Sequence, residues 1–173
     1  MPFGPIFQLG YLVDALEPAM KHWTDAFGAG PFFVLPPRRF AALTVDGVPT
    51  DDDAIIADVA LGQLGHLQIE LIVPGPAPST YHHFLDAGQR GLHHVGILVD
   101  DFDGKRADAL AAGYVPETEG QSALTRIAYL RPPSTQGGSV IELVETCLQV
   151  DAAFGRVRDA ADGWDGRDPV RQF

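Results

Sequence analysis

The strongest constraint on this chain is an internal repeat. IFQLGYLV (6–13) and HVGILVDD (94–101) open two stretches built on one plan: an apolar, β-prone run, an acidic stop, a helical segment and a closing glycine. Gln8/His94, Gly10/Gly96, Val13/Val99 and Asp14/Asp100 are all separated by 86 positions, so a single register serves four pairs. IELIV (69–73) and IELVE (141–145) match at a separation of 72, so the first copy carries 14 more residues, expected within PPRRFAALTVDGVPTDDD (36–53). Duplicated units of this kind bury a shared face that neither could bury alone.

In the first copy a helix is expected over about 15–27, with Asp14 and Glu17 as its N-terminal capping pair. Met20, Trp23 and Phe27 recur on its core side, and Gly28 and Gly30 stop it. Two further strands fit between helix and closing strand in each copy, at about 32–45 and 54–61 in the first and about 114–119 and 124–131 in the second. Each copy therefore reads β-α-β-β-β. The expected division is a first module over 1–75, a connector over 76–91, a second module over 92–146 and a C-terminal extension over 147–173. The connector holds PGPAPS and a short helix from Tyr81 to Ala87. The extension is expected to form a helix around 150–161, packed on the outside or on a partner.

A chain of 173 residues, 46% of them hydrophobic, can bury a sizeable interior. Its formal net charge of −11 counts against nucleic acid and anionic membranes as partners and favours a small-molecule substrate. No apolar run approaches the roughly 20 residues of a membrane span, and MPFGPIFQLG lacks a basic leader, so a cytoplasmic location is expected. Cys147 is the only cysteine, which excludes an internal disulfide and a thiolate cluster. Any metal must rest on histidine, carboxylate and amide ligands.

The strand openings Gln8-Leu-Gly-Tyr-Leu-Val and His94-Val-Gly-Ile-Leu-Val and the closing strands Ile69-Glu70-Leu71 and Ile141-Glu142-Leu143 carry a resemblance, reinforced by HWTDAFGAGPFF (22–33) and GLHHVGILVDD (91–101). Over about 6–146 the chain resembles the glyoxalase/bleomycin-resistance/dioxygenase, or vicinal oxygen chelate, superfamily, and within it the methylmalonyl-CoA epimerase-like branch. The resemblance implies an α+β fold in which tandem βαβββ modules form a curved eight-stranded mixed sheet around a metal cavity. It implies that the first and last strands of each module supply one ligand each, which gives Gln8, Glu70, His94 and Glu142. The order Gln, Glu, His, Glu resembles that of zinc-type glyoxalase I, whereas the epimerases resemble His, Gln, His, Glu. A homodimer is expected.

Strand alternation supports that set on physical grounds. Gln8, Gly10 and Leu12 share one face, as do His94, Gly96 and Leu98, and the glycines leave space beside the ligands. Glu70 and Glu142 lie inside apolar strands, where an ionised carboxylate costs several kcal/mol unless it is paired or metal-bound. Two carboxylates, one imidazole and one amide form a neutral site with a divalent ion such as Zn, Ni, Co, Mn or Fe. Leu12, Leu98 and Gln68, with residues of the 36–53 insertion, are expected to wall the substrate cleft, and His66 shares the face of Glu70. His93 should point to the opposite face, with a structural or dimer-surface role. His82 and His83 are expected to be exposed, Asp51, Asp52 and Asp53 to form a solvated turn, and Gly137-Gly138 to form a hairpin turn rather than a phosphate loop.

Such a site suits removal of a proton α to a carbonyl and stabilisation of the resulting enediolate, with Glu142 or Glu70 as the base. Isomerases, epimerases and lyases all begin in this way. Glyoxalase I carries an arginine where this chain has Leu12, which counts against glutathione hemithioacetals. The epimerases use a glutamate from the middle of the first module, and 18–69 contains none, leaving Asp46 or Asp58 as substitutes. The alternative is a sequestering protein of the bleomycin-resistance type, which binds a small molecule without catalysis.

Overall fold

The computed structural model describes residues 3–134 and 138–173. Along the chain, the first half runs β1 (Gln8–Leu12), α1 (Leu16–Phe27), β2 (Phe32–Val34), β3 (Ala42–Val45), β4 (Val48–Pro49), β5 (Ile56–Leu64) and β6 (Leu67–Pro74). After α2 (Thr80–Asp86), the second half runs β7 (Gly91–Val99), α3 (Phe102–Ala111), β8 (Val115–Gln121), β9 (Arg126–Arg131) and β10 (Val140–Glu145). The chain closes with α4 (Leu148–Ala161) and β11 (Val170–Gln172).

The strands join in one mixed sheet, ordered β11-β2-β5-β6-β1-β7-β10-β9-β8-β3-β4. The eight expected strands form its middle. It has eleven strands rather than eight, because β11 adds to the β2 edge and the β3–β4 hairpin adds beyond β8. The expected strand over 32–45 is therefore two strands at opposite ends of the sheet. This split requires curvature. Flat strands spaced about 4.8 Å apart would set β2 and β3 nearly 40 Å from each other. The chain from Val34 to Ala42 spans at most about 29 Å. The sheet must close into a cup, with residues 35–41 as a strap across its opening.

Side-chain parity then sorts the core. Ile69, Leu71, Ile97, Val99, Ile141 and Leu143 point outward, packing under α1 with Met20 and Phe32 or under α3 with Phe102 and Ala109. Leu12, Ile72 and Val144 point inward and pack with Tyr81 of α2, Tyr129 of β9 and Val150 of α4. Both faces are apolar, and every polar side chain on the inner face needs a reason to be there.

Several local expectations are corrected. Asp14 does not cap α1: the N-cap is Ala15, without a side-chain hydrogen bond, whereas Asp101 does cap α3 through the Gly104 amide at 2.9 Å. Gly28 ends α1 in the left-handed conformation, φ 71°. Phe27 is more than half exposed and packs at a tilt against Trp23 instead of entering the core. The C-terminal helix starts earlier than expected and packs on the chain's own β5, with Val150 and Val157 buried. Gly137 lies outside the described residues. Among the described residues no helix is long and apolar enough to cross a membrane.

Candidate metal and substrate site

The centre of the cup is the β1/β7 seam, where the two halves meet antiparallel with Gln8 opposite Gly96 and Gly10 opposite His94. Each half places its side chain over the other half's glycine. A Cβ on Gly10 would lie 1.9 Å from His94 Cε1, and one on Gly96 would lie 2.7 Å from Gln8 Oε1. Glu70 and Glu142 enter from the flanking parallel strands in equivalent registers, beside Gly10 and Gly96. All four side chains are buried.

Ligand atoms of Glu70, His94 and Glu142 lie within 4.8 Å of one another. His94 Nε2 is 3.2 Å from Glu70 Oε2 and 3.4 Å from Glu142 Oε2. Yet His94 Nε2, Glu70 Oε2 and Gln8 Oε1 are buried without a hydrogen bond of proper geometry. Buried polar atoms almost always find partners, so the unpartnered atoms of Glu70 and His94 within this cluster fit a bound cation. Gln8 is oriented by Gln68, to whose Oε1 its Nε2 donates at 2.7 Å.

Electrostatics binds the cluster together. Burial alone would lower the His94 pKa, but contacts with Glu142 and Glu70 outweigh it and raise it to about 9. Burial likewise works to raise Glu142, but His94, Tyr129 and Arg38 hold its carboxyl below the usual range. Tyr129 and Tyr81 share a hydroxyl–hydroxyl bond of 2.9 Å. Burial and the nearby carboxylates push both phenols well up, so both stay protonated.

The strap supplies Arg38, whose Nη2 lies 3.6 Å from Glu70 Oε1 and whose Nε is buried without a partner. The insertion over 36–53 is where further cleft residues are expected, but nothing in the sequence singles out Arg38 from Arg39. Tyr129, which carries no signal in the sequence, sits directly across from Glu142 on β9.

Gln8, Glu70, Glu142 and Arg38 face a cavity of about 290 Å³. Its walls are otherwise mostly apolar, from Leu35, Leu61, Ile127, Val144, Phe154 and Phe173. Leu12, Leu98 and Gln68, the expected substrate-contacting residues, are not among its lining. Leu12 and Leu98 belong to the apolar cluster with Tyr81, and Gln68 is spent on Gln8. Alternation gives the face of a strand but not the depth at which a helix fills the cup. His66 is exposed in the β5–β6 turn. Asp46 pairs with His83 at the surface and Asp58 is exposed, so neither reaches the cavity as a substitute base. Asp53 pairs with Arg39, and Asp51 and Asp52 are exposed.

His93 departs most from expectation. Gly10 pairs with His94 but Tyr11 pairs with Leu92, which leaves His93 as the extra residue of a β-bulge. The bulge breaks the alternation, and His93 is fully buried with its Nδ1 3.1 Å from Nδ1 of His94. Burial and the neighbouring His94 lower its pKa to about 3, so it is neutral.

Two βαβββ units sharing one cupped sheet, with ligand-type side chains from both at their seam, define a paired-module protein with a central metal-type site. The family model described as the Glyoxalase/Bleomycin resistance protein/Dioxygenase superfamily matches residues 7–129, and the chain belongs to that superfamily. Among curated proteins, none matches the sequence. The fold is similar to the crystal structure of methylmalonyl-CoA epimerase from Mycobacterium tuberculosis, with 25% identity and a TM-score of 0.57 over 85% of this chain and 91% of that one. A Streptomyces coelicolor methylmalonyl-CoA epimerase variant in complex with 2-nitronate-propionyl-CoA is 17% identical, with a TM-score of 0.57 over 84% of this chain and 96% of that one. A hypothetical protein from Bacillus halodurans C-125 is 16% identical, again at 0.57, over 83% and 94%.

Proposed function

We propose that this protein is a divalent-metal-dependent enzyme that removes a proton α to a carbonyl of a small, oxygen-chelating substrate, as an isomerase, epimerase or lyase. The observation that carries this reading is the buried Glu70–His94–Glu142 cluster with its unpartnered ligand atoms, facing a cavity large enough for a small molecule. Gln8, Glu70, His94 and Glu142 would hold the ion. Bound there, a divalent ion supplies Lewis-acid stabilisation of a developing enediolate. Glu142 or Glu70 takes the α-proton, and Tyr129, directly across from Glu142 on β9, favours its ionised form. The apolar walls exclude water and receive an apolar substrate body.

Charge narrows the substrate class. The two carboxylates balance a divalent ion, which leaves the Arg38 cation over a largely apolar cavity. A buried site of this kind calls for a substrate carrying one negative charge. Hydroxy acids and acyl thioesters bearing a carboxylate satisfy both the chelation and the charge. The similarity to methylmalonyl-CoA epimerases supports the second of these. A homodimer in the cytoplasm completes the proposal, its assembly to be checked by sedimentation.

The test is proton NMR in D₂O with a panel of such compounds, with and without Ni²⁺, Co²⁺, Mn²⁺ or Zn²⁺. Metal-dependent exchange of the α-proton is expected, lost in Glu142→Gln and reduced less in Glu70→Gln. Saturable binding without exchange under any metal would leave the sequestering function in its place.

A further inference from the structure

Behind His94, on the side away from the cavity, lies a second set of buried polar groups that the reaction does not use. His93 Nδ1 is 3.1 Å from His94 Nδ1, and His93 Nε2 is 3.2 Å from Thr80 Oγ1. The Thr80 hydroxyl donates to Glu117 Oε2 at 2.7 Å. Glu117 Oε1 accepts from Arg131 Nε at 2.7 Å, and His83 lies 3.7 Å away. His93, His94, Thr80 and Glu117 are all buried, and the rings of Tyr81, Phe84 and Tyr129 surround His93. Thr80 is the first residue of α2 and is fixed there by its amide, which donates to Thr118 Oγ1 at 2.9 Å.

The directions of these bonds follow from which groups can accept. Glu117 accepts from Arg131 through one oxygen and from the Thr80 hydroxyl through the other, and that bond uses the hydroxyl's single proton. Thr80 Oγ1 can then only accept from His93, which places a proton on His93 Nε2. A neutral imidazole has one N–H, so His93 Nδ1 is an acceptor. The bond between the two rings therefore runs from His94 Nδ1–H to His93 Nδ1, so the proton that a metal displaces from His94 is the one on Nε2, which faces Glu70 and Glu142.

We propose that His93, Thr80 and Glu117 are positioning residues: a one-way hydrogen-bond chain that holds His94 in the Nδ1–H tautomer and so presents Nε2 as the ligand atom. The inference rests on the metal-site reading above. It gives the β-bulge a purpose, since only the extra residue brings His93 against the back of its neighbour. Partners behind a ligating histidine commonly set its tautomer and contribute about 10- to 100-fold in metal affinity.

The test uses the full chain, purified without an affinity tag and loaded with Zn²⁺. Two-bond ¹H–¹⁵N correlation spectra of histidine-labelled wild-type protein should show His94 protonated at Nδ1 and His93 at Nε2. Titration should show Zn²⁺ binding weakened about 10- to 100-fold in Thr80→Val and restored to within about threefold in Thr80→Ser, which keeps the hydroxyl. A proton on His93 Nδ1, or a folded Thr80→Val that binds Zn²⁺ as tightly as wild type, overturns the chain while leaving the metal site standing. Wild-type protein that binds no metal instead overturns the site and this inference together. Should Thr80→Val fail to fold, the wild-type spectrum decides.

Discussion

Gly10 and Gly96 show how much of the site rests on atoms that are absent. Each is a strand residue with no left-handed backbone to explain it, and each is required because a ring or an amide occupies the place of its Cβ. Gly10→Ala sets a methyl group inside the His94 ring, which is fully buried and cannot swing aside. Overpacking of this kind costs about 1–3 kcal/mol. The expected result is a lower melting temperature together with loss of metal binding, read by calorimetry and metal analysis. In Gly96→Ala the clash falls partly on the more flexible Gln8, so the metal should be weakened rather than lost. A Gly10→Ala variant with wild-type metal affinity would show that His94 is not a ligand.

The two adjacent histidines also give the metal-free protein a stability profile with opposite slopes. His94 has a folded pKa of about 9, raised from 6.5. Its contribution is complete below 6.5 and is lost as pH rises through 9. His93 has a folded pKa of about 3. Between 3 and 6.5 the unfolded chain takes a proton that the folded chain refuses, so stability is lost as pH falls through that window. Thermal melts with chelator present should therefore peak near pH 6.5. Metal binding displaces the proton from His94, so the alkaline decline should shrink on loading, with about one proton released per ion at pH 7.5. An unchanged alkaline limb in the loaded protein would contradict the ligand role of His94.

At the scale of elements, the strap over residues 35–41 turns a sheet into a closed site. It joins β2 at one edge to β3 at the other and carries Arg38 to within 3.6 Å of Glu70. Arg38→Met keeps the stem and removes the charge. It is expected to leave metal binding within a few-fold and to weaken a carboxylate-bearing ligand by at least tenfold, measured by titration calorimetry on the metal-loaded protein. Equal loss for an uncharged ligand of the same shape would assign Arg38 to packing alone. The paired strands that bring Glu70, His94 and Glu142 together were legible in the sequence because period-two patterning and a constant offset act over a few neighbouring residues. Arg38 was not, because its place depends on two edges of the sheet approaching through curvature. His93 was misplaced for a related reason: one bulge residue resets the parity, and no pattern inside GLHHVG announces it. Leu12 and Leu98 were assigned the right face but not the right depth, which α2 and α4 decide by filling the interior.

For the molecule as a whole, the proposed ligands come in equal number from the two halves, Gln8 and Glu70 from the first and His94 and Glu142 from the second. The β1/β7 seam already joins the halves through backbone pairing. At its centre two buried carboxylates face one imidazole. A divalent ion held there would link side chains from both halves, so it should act on the stability of the entire sheet. Binding to the folded state alone adds about 2.7 kcal/mol at a hundredfold excess over Kd. For a chain of this size that corresponds to a rise of about 5–10 °C in melting temperature. One cooperative transition is expected, shifted upward by metal and returned by chelator. In Glu142→Ala the shift should vanish, since one of two anionic ligands is gone. Amide hydrogen exchange should show the added protection in β1 and β7 together, because both strands border the ion. Protection confined to one half would mean that the ion sits within a single module, and the seam would then be only a packing interface.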